Sequence, residues 1–276
     1  TGSRTGLELV EEVFPRFGLV PGQLLAPGFS DDPAVAVVIG AKAANINGHF
    51  KATGLVDVPS SVAKYTDVPA WVKDNNLTDP ALQIFFGSHL AATGASRDAD
   101  NEGVPYWSPS NRRMLCNGLT HAGRELALTP SEAAYLNGQG IVTGLNFTGQ
   151  MTVWGNRTAA YPAVTDVKDT FIPVRRMFNY IGNTLVLTAW QFTDSPLRRR
   201  FIEQICDSFN LWLNGLAARE YILGGKVAFL AGENPSTDLI DGTARFHVFI
   251  APPPPAREIR FTLEYDPSYL TNLFAE

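Results

Sequence analysis

The chain carries near its middle the stretch Met151-Thr152-Val153-Trp154-Gly155-Asn156-Arg157-Thr158. An apolar run with glycines at 140 and 144 precedes it, and this run predicts a strand over 140–147. The pattern changes beyond this point, because short apolar runs between Gly and Pro give way to long helical patterns. We therefore predict two domains, one over 1–155 and one over 156–276.

The composition is that of a globular protein that neither binds nucleic acid directly nor inserts into a membrane. The chain has 276 residues, of which 45% are hydrophobic and 18% charged, enough for one large or two ordinary domains. The net charge of -5 disfavours direct binding to nucleic-acid phosphates. No apolar run reaches the length of a membrane-spanning helix. The two cysteines, Cys116 and Cys206, form no C-x-x-C motif and are interpreted as buried or half-buried thiols.

The first half of the chain alternates between helical and strand patterns. Helices are predicted over 4–17, 32–46 and 130–138, and strands over 22–27, 48–56, 81–86 and 140–147. Short apolar strands between helices are typical of a parallel sheet that helices cover on both faces. The polar residues of 92–113 predict a long loop. A sheet that opens on a helix lacks its first strand, so we expect further residues before Thr1.

The second half predicts two long helices and then strands. One helix is expected over 171–190, and the other carries an apolar face from Ile202 to Leu216, with Asp194 or Ser195 as its cap and Pro196 at its first position. Strands are predicted over 226–231, 243–251 and 257–265. The last strand alternates strictly, which indicates a half-buried strand. The residues after it are too few for a core of their own, so we expect them to dock within the subunit or on a neighbour.

No motif in the chain predicts catalysis, a cofactor or a metal site. The segment 98–103 matches the start of a calcium-binding loop, but Pro109 stands where that loop needs Glu. The glycines of 138–144 follow a helix and precede a strand, the reverse of a nucleotide-binding turn, so Gly138 is interpreted as a helix C-cap. None of the four histidines lies in a catalytic motif.

Several fragments, in this order and spacing, resemble the contractile phage tail-sheath proteins. They are Gly22-Gln23-Leu24-Leu25-Ala26-Pro27-Gly28, Ser108-Pro109-Ser110-Asn111, Leu136-Asn137-x-x-Gly140-Ile141, Trp154-Gly155-Asn156-Arg157-Thr158, Pro173-Val174-Arg175-Arg176, Leu223-Gly224-Gly225 and Ile250-Ala251-Pro252. The resemblance covers nearly the whole chain. It implies an α/β sandwich, subtilisin-like with a mainly parallel sheet but without protease chemistry, followed by a smaller α+β C-terminal domain.

The resemblance also implies a function, which is to polymerise around a tail tube and to contract. The implied partners are further copies of the chain, the tail tube protein, the baseplate and the tail terminator. The implied location is the virion, after assembly in the host cytoplasm.

In such sheaths, chain ends add strands to the sheets of neighbouring subunits. The matching interface candidates here are Ile259, Phe261, Leu263, Tyr265, Tyr269, Leu270 and Phe274. The basic triplet Arg198, Arg199 and Arg200 opens the second long helix, where positive charge is unfavourable, and either a subunit contact or a solvated face would explain it.

Other functions remain open at this point. The chain could form the sheath of a phage-tail-like bacteriocin or of a secretion device, which the sequence does not distinguish from a phage tail. It could also be an α/β hydrolase, although no nucleophile beside a base is recognisable. A ligand-binding protein that uses the loop 92–113 as a lid is a further alternative.

Overall fold

A three-stranded parallel sheet forms the centre of the first half. The computed structural model describes residues 4–84, 87–121 and 123–274 of the chain, without the side chains of residues 272 and 274. The strands β1 (Gln23–Leu25), β2 (Thr53–Val56) and β3 (Leu82–Ile84) lie side by side in chain order, all parallel. A parallel bridge from Ile84 to Ile141 extends the sheet. Every residue of β2 is buried, as expected for a strand that is covered on both faces.

Helices connect the parallel strands and cover them. The connections are α2 (Pro33–Ala44) between β1 and β2, α3 (Val68–Asp74) between β2 and β3, and α4 (Gly87–Asp100) after β3. Asp32 caps α2 by accepting a hydrogen bond from the Ala34 amide at 2.9 Å. The buried residues of α2 recur at helical spacing and pack on the sheet: Ala36, Ile39, Gly40 and Ala43.

The predicted loop over 92–113 is wrong for its first part. Residues up to Asp100 belong to α4, and only 101–113 lie in turns and irregular structure. Four alanines favour the helix, while its Asp and Ser residues lie mostly on exposed positions, so their polarity does not oppose helix formation. Asp98 and Asp100 consequently lie on a helix rather than in a calcium-binding loop.

The remaining strands of the first half are antiparallel, so the expected parallel arrangement holds only for the central sheet. One hairpin pairs β4 (Leu119–His121) with β5 (Arg124–Leu126), and the other pairs β6 (Thr143–Asn146) with β7 (Met151–Trp154). Between them, α5 (Pro130–Asn137) begins with a capping box between Thr129 and Glu132. The predicted C-cap at Gly138 is confirmed.

The N-terminal segment is helical, as predicted, although most of it is a 3-10 helix. Gly6–Glu12 is 3-10 and α1 (Val13–Phe17) is α-helical. Leu7, Val10 and Phe14 pack on the first core, whereas Phe17 is 68% exposed.

The second half consists of helices packed on a two-stranded antiparallel sheet. Its elements are α6 (Val167–Thr170), α7 (Ile172–Ala189), α8 (Arg199–Ala218), β8 (Gly224–Ala228), α9 (Ser236–Ile240) and β9 (His247–Ala251). Buried residues of α7, α8 and β8 form a second core that includes Met177, Leu213 and Val227. The predicted cap of α8 at Asp194 or Ser195 is wrong, because the helix begins at Arg199. Pro196 disfavours a helical conformation at the residue before it, so the chain enters the helix later.

Polar contacts fasten α7 to the first half. Asn179 donates to the Ala52 carbonyl oxygen at 3.0 Å, and Asn183 donates to the Lys51 carbonyl oxygen at 2.8 Å. The guanidinium of Arg176, only 7% exposed, makes two hydrogen bonds to the carboxylate of Asp98 on α4. These contacts place the end of α4 and the start of α7 side by side.

Candidate functional site

The C-terminal tail, defined here as residues 252–274, leaves the body of the subunit after β9. Residues 252–266 have no regular secondary structure, so the strand predicted over 257–265 is absent from the isolated subunit. Its alternating apolar residues are exposed: Phe261 by 85% and Leu263 by 95%, with Ile259 and Tyr265 also exposed. A strand needs a partner strand, and none of the described strands of this subunit pairs with residues 257–265. The prediction of a half-buried strand is therefore wrong for a single copy.

The end of the tail is a short 3-10 helix, Pro267–Phe274. Tyr269 and Leu270 are exposed there, and the side chain of Phe274 lies outside the described part of the chain. The hydrogen bonds found in this region are local, as from the Ser268 amide to the Asp266 carboxylate at 2.9 Å. The expectation that these residues dock within their own subunit is thus wrong for Tyr269 and Leu270. So much contiguous apolar surface indicates an interaction site.

The sheet β8–β9 has one covered edge and one open edge. Asn210 of α8 covers β8, because it accepts a hydrogen bond from the Val227 amide at 2.7 Å and donates to the Val227 carbonyl oxygen at 3.1 Å. Both backbone groups of Val227 thus face away from its register partner Val248. Val248 consequently directs its own N–H and C=O to the outer edge of β9. Among the described strands β9 pairs only with β8, so this edge can accept a further strand.

Three of the quoted sequence fragments meet at one point in the structure. The Asn111 amide donates to the Val153 carbonyl oxygen at 2.6 Å, and the Gly155 amide donates to the Ser110 hydroxyl at 3.0 Å. The Asn137 side chain, with its amide oriented to suit its neighbours, donates to the Trp154 carbonyl oxygen at 2.9 Å. The φ of residue 155 is +134°, and an added Cβ would lie 2.5 Å from the side-chain amide of Asn137 and 3.1 Å from Val142 Cα, which favours glycine there. The contact between these fragments was not predicted from the sequence.

Arg157 and Thr158 stabilise the start of the second half through contacts with residues 161–171. The Arg157 guanidinium lies over the Phe171 ring at 3.7 Å and the Tyr161 ring at 4.4 Å, and it donates to the Thr170 hydroxyl at 2.8 Å. Thr158 is fully buried, and its hydroxyl donates to the Asp169 carbonyl oxygen at 2.6 Å. Burial lowers the pKa of Arg157 below its usual value.

Gly140 is required by the same packing, which leads to a stability prediction. Its φ is +75°, and an added Cβ would lie 2.6 Å from the Thr158 carbonyl oxygen and closer still to that of Tyr161. We expect Gly140→Ala to lower the free energy of unfolding by about 2–4 kcal/mol, because backbone must move. Gly182→Ala in α7 is the control: nothing lies within 4 Å of the added atom, and a gain of up to about 1 kcal/mol is expected. Urea denaturation distinguishes the two, and equal effects would contradict the argument.

An open cleft of about 780 Å³ lies between the start of the tail and the body of the subunit. The start of the tail, from Pro253 to Glu258, forms one side of it. The other side comes from the body of the subunit and includes Arg97, Trp107, Trp154, Gly155 and Arg157. The start of the tail and the central stretch around Trp154, which lie about 100 residues apart in the sequence, therefore share one surface feature.

The basic triplet lies elsewhere. Arg199 is almost fully exposed, and it pairs with Glu203 at 2.8 Å, one helical turn further along α8. Arg198 and Arg199 line a separate open groove that also contains Ile202, Leu239 and Ile240. The structure thus does not bring the triplet to the cleft.

The described residues show no arrangement that suggests catalysis or metal binding. Within 4–84, 87–121 and 123–274, no group of three His, Cys, Asp or Glu could hold a metal ion. His247 Nδ1 lies 2.7 Å from Glu233 Oε1, and its ring stacks on Phe249. Cys116 and Cys206 are half-buried and unbridged, and burial raises the pKa of Cys206, which makes its thiol less reactive. Among the helices in this part of the chain, none is long and apolar enough to cross a membrane.

Two relatives that carry a tail-sheath name align with almost the whole of this chain. The chain is 26% identical to the tail sheath protein of Burkholderia phage BcepMu over 298 residues, covering 99% of the chain and 61% of the relative. It is 24% identical to a putative prophage major tail sheath protein of Pseudomonas aeruginosa strain UCBPP-PA14, covering 99% of the chain and 72% of the relative. The resemblance to contractile tail-sheath proteins is confirmed. No family model matches the chain.

Solved structures agree on the sheath fold. The sheath complex of an extracellular contractile injection system, PVC, in its contracted state superposes with a TM-score of 0.73 at 20% identity, covering 94% of this chain and 75% of that one. The baseplate structure of the anti-feeding prophage (AFP) gives 0.72 at 19% identity, covering 94% and 72%. The present chain spans about three fifths of the length of the phage BcepMu sheath protein.

Proposed function

We propose that this chain belongs to a subunit of a contractile tail sheath, which polymerises around a tail tube and contracts to drive the tube through the host envelope. The observation that carries the proposal is a donor and an acceptor on the same subunit. The tail presents an unpaired alternating segment, 257–265, and β9 presents an open edge. When the tail of one copy pairs with the β9 edge of a second copy, the backbone N–H and C=O groups of the tail and of the edge form hydrogen bonds with each other.

The proposed interface includes the tail residues predicted from the sequence. Ile259, Phe261, Leu263 and Tyr265 would form the buried face of the donated strand, and Tyr269, Leu270 and Phe274 would follow it onto the neighbour. A strand that is linked covalently to one subunit and hydrogen-bonded to the next keeps the copies connected while their bodies move. This is the mechanical requirement of a polymer that contracts without falling apart.

We also propose the finer architecture that the resemblance implies. The first domain, 1–155, would be a subtilisin-like α/β domain, and the second, 156–276, a smaller α+β domain. Separate hydrophobic cores around the parallel sheet and around α7, α8 and β8 support this division. Residues of 156–172 pack on the first core, for example Ala159, whose amide donates to the Leu82 carbonyl oxygen at 2.9 Å. The two domains would thus share an interface close to their boundary.

The proposed partners beyond further copies are the baseplate, the tail tube protein and the tail terminator. Assembly in the host cytoplasm and a final location in the virion tail follow from the same proposal. Relatives named for phages and prophages support a phage tail, and a bacteriocin or injection device would use the same donor and acceptor. Arg198, Arg199 and Arg200 remain candidates for a subunit contact, because all three are exposed at the start of α8.

Negative-stain electron microscopy of the protein expressed from its complete gene tests the proposal. We expect regular tubes or rings at high protein concentration. Deleting the tail after Glu258 should remove them, while the thermal unfolding of the body should be unchanged because the tail beyond the cleft is largely exposed. Dispersed monomers from the complete protein, in every buffer that keeps it folded, would overturn the proposal.

A further inference from the structure

The cleft beside the tail contains arginines that lack a counter-charge. Five arginines in the described part of the chain are partly or fully buried, and three pair with a carboxylate: Arg112 with Asp100, Arg175 with Asp169 and Arg176 with Asp98. The other two, Arg97 and Arg157, both line the cleft and have no carboxylate within 4 Å among the described residues. Among the described residues, the partly or fully buried arginines without a carboxylate partner are thus both in the cleft.

The surroundings of both arginines increase the need for an anion. Burial lowers the pKa of Arg157, and the positive charge of Arg257 on the tail lowers it further. Burial also lowers the pKa of Arg97, Arg112 adds to the effect, and the more distant Asp100 carboxylate opposes it only in part. The Nε atoms of Arg97 and Arg157 are buried without a hydrogen-bond partner. A nearby carboxylate would compensate these charges.

The cleft does not supply that carboxylate itself. Glu258 is the one acidic residue among those that line it, and its Oε1 lies 2.6 Å from Arg260 Nε. Exposed aromatic surface lies beside the arginines, from Trp107 and Trp154. The combination of guanidinium groups with flat apolar rings suits an acidic peptide that also carries an aromatic residue.

The open edge of β9 leads into this cleft. The strand ends at Ala251, and Pro253 already lines the cleft. A tail segment added parallel to β9 would place residues 259–263 beside the five residues of the strand. The next residues, 264–266, would then lie beside the start of the tail of the accepting subunit.

Those next residues have the chemistry that the cleft lacks. Glu264 and Asp266 are exposed, and no basic side chain in the described structure pairs with either. They lie two positions apart, so an extended chain presents both carboxylates on one side and Tyr265 on the other. We propose that the cleft binds the carboxylates of Glu264 and Asp266 from the tail of a second copy of this chain. The inference rests on the proposed strand addition and adds a charge contact that fixes its direction and register.

A charge swap within one chain tests the contact, because every subunit of a polymer donates one tail and accepts another. Arg257 also lines the cleft and is exposed, so it can be changed without disturbing the packing around Arg97 and Arg157. Arg257→Glu and Glu264→Arg should each raise the critical concentration for tube formation about tenfold, which corresponds to about 1.4 kcal/mol per contact. The double variant should return to within about threefold of the wild type, since the pair is restored with reversed sign. Lys73→Glu on α3 is the control for Arg257→Glu, because it changes the net charge by the same amount, and it should have little effect on assembly. Arg257→Lys keeps the positive charge and should retain assembly. A double variant as defective as the product of the single variants would overturn the inference.

A second measurement separates this inference from the proposed function. A fluorescent peptide of residues 256–268 is added to the full chain at low salt, and its binding is followed by anisotropy. We expect binding that weakens about tenfold in Arg257→Glu and as salt is raised. If the wild type forms no tubes yet binds the peptide through Arg257, the cleft contact stands and the sheath proposal fails. If tubes form but the double variant is no better than the product of the single variants, the sheath proposal stands and the cleft contact fails. The same holds if tubes form and the affinity for the peptide is unchanged in Arg257→Glu.

Discussion

Phe261→Asp should abolish tube formation and leave the melting temperature of the isolated subunit unchanged. Phe261 is 85% exposed in the single copy, so the substitution removes almost no contact within it. In a polymer the same side chain would lie on the buried face of the donated strand. An unpaired carboxylate buried there costs several kcal/mol at every junction, and each added subunit incurs that cost again.

The matched control is Thr262→Asp, which introduces the same charge one residue along. Successive side chains of a strand point to opposite faces, so residue 262 would remain on the solvent side. We expect Thr262→Asp to assemble with at most a few-fold change in critical concentration. Pelleting assays with negative-stain images measure assembly, and differential scanning calorimetry measures the subunit. Equal assembly of the two variants would show that the tail does not dock as an alternating strand.

The parallel sheet of the first half could be predicted because its signals are local. Each strand is a short apolar run between breakers, and α2 has both its Asp32 cap and apolar residues at helical spacing. The same is true of α8, whose apolar face forms much of the second core. Strand ends were less accurate, since the predicted strand over 48–56 is formed only from Thr53 to Val56.

The errors occurred where a local pattern depends on distant partners. Residues 92–100 are polar enough to predict a loop, but the buried Leu90, Thr93 and Gly94 anchor them as a helix. The tail has the correct alternation for a strand, yet no described strand of its own subunit pairs with it. Under the proposed strand addition, this pattern reflects the environment of the tail in the polymer, which a single chain does not contain.

The candidate site was predictable only in pieces. The apolar alternation of the tail and the central stretch around Trp154 were both identified from the sequence. The cleft between the start of the tail, Pro253 to Glu258, and the central stretch was not identified, because it depends on the path of the chain after β9. The unpaired arginines Arg97 and Arg157 were also missed as a pair, since 60 positions separate them and neither lies in a motif that indicates anion binding.

The ion pair between Asp98 and Arg176 should be the most important single polar contact for the stability of the subunit. Arg176 is 7% exposed, and both of its terminal nitrogens bond to the Asp98 carboxylate. Asp98→Ala leaves that guanidinium buried without its partner, so we expect a loss of about 3–5 kcal/mol in the free energy of unfolding. The contact joins α4 to α7, and its loss should therefore loosen the packing between the two halves of the chain.

Asp100→Ala is the matched control for this effect. Asp100 lies two residues along the same last turn of α4, so both variants remove a negative charge that the helix C-terminus disfavours equally. Its partner Arg112 is at the surface, where 30% of the Arg112 side chain and 52% of the Asp100 side chain are exposed. Such a pair contributes about 0–1 kcal/mol because water solvates both charges when it is broken. Urea denaturation of both variants gives the difference directly. Similar losses would mean that water reaches Arg176 when Asp98 is removed, and that the two halves are held together mainly by apolar packing and the asparagine contacts of α7.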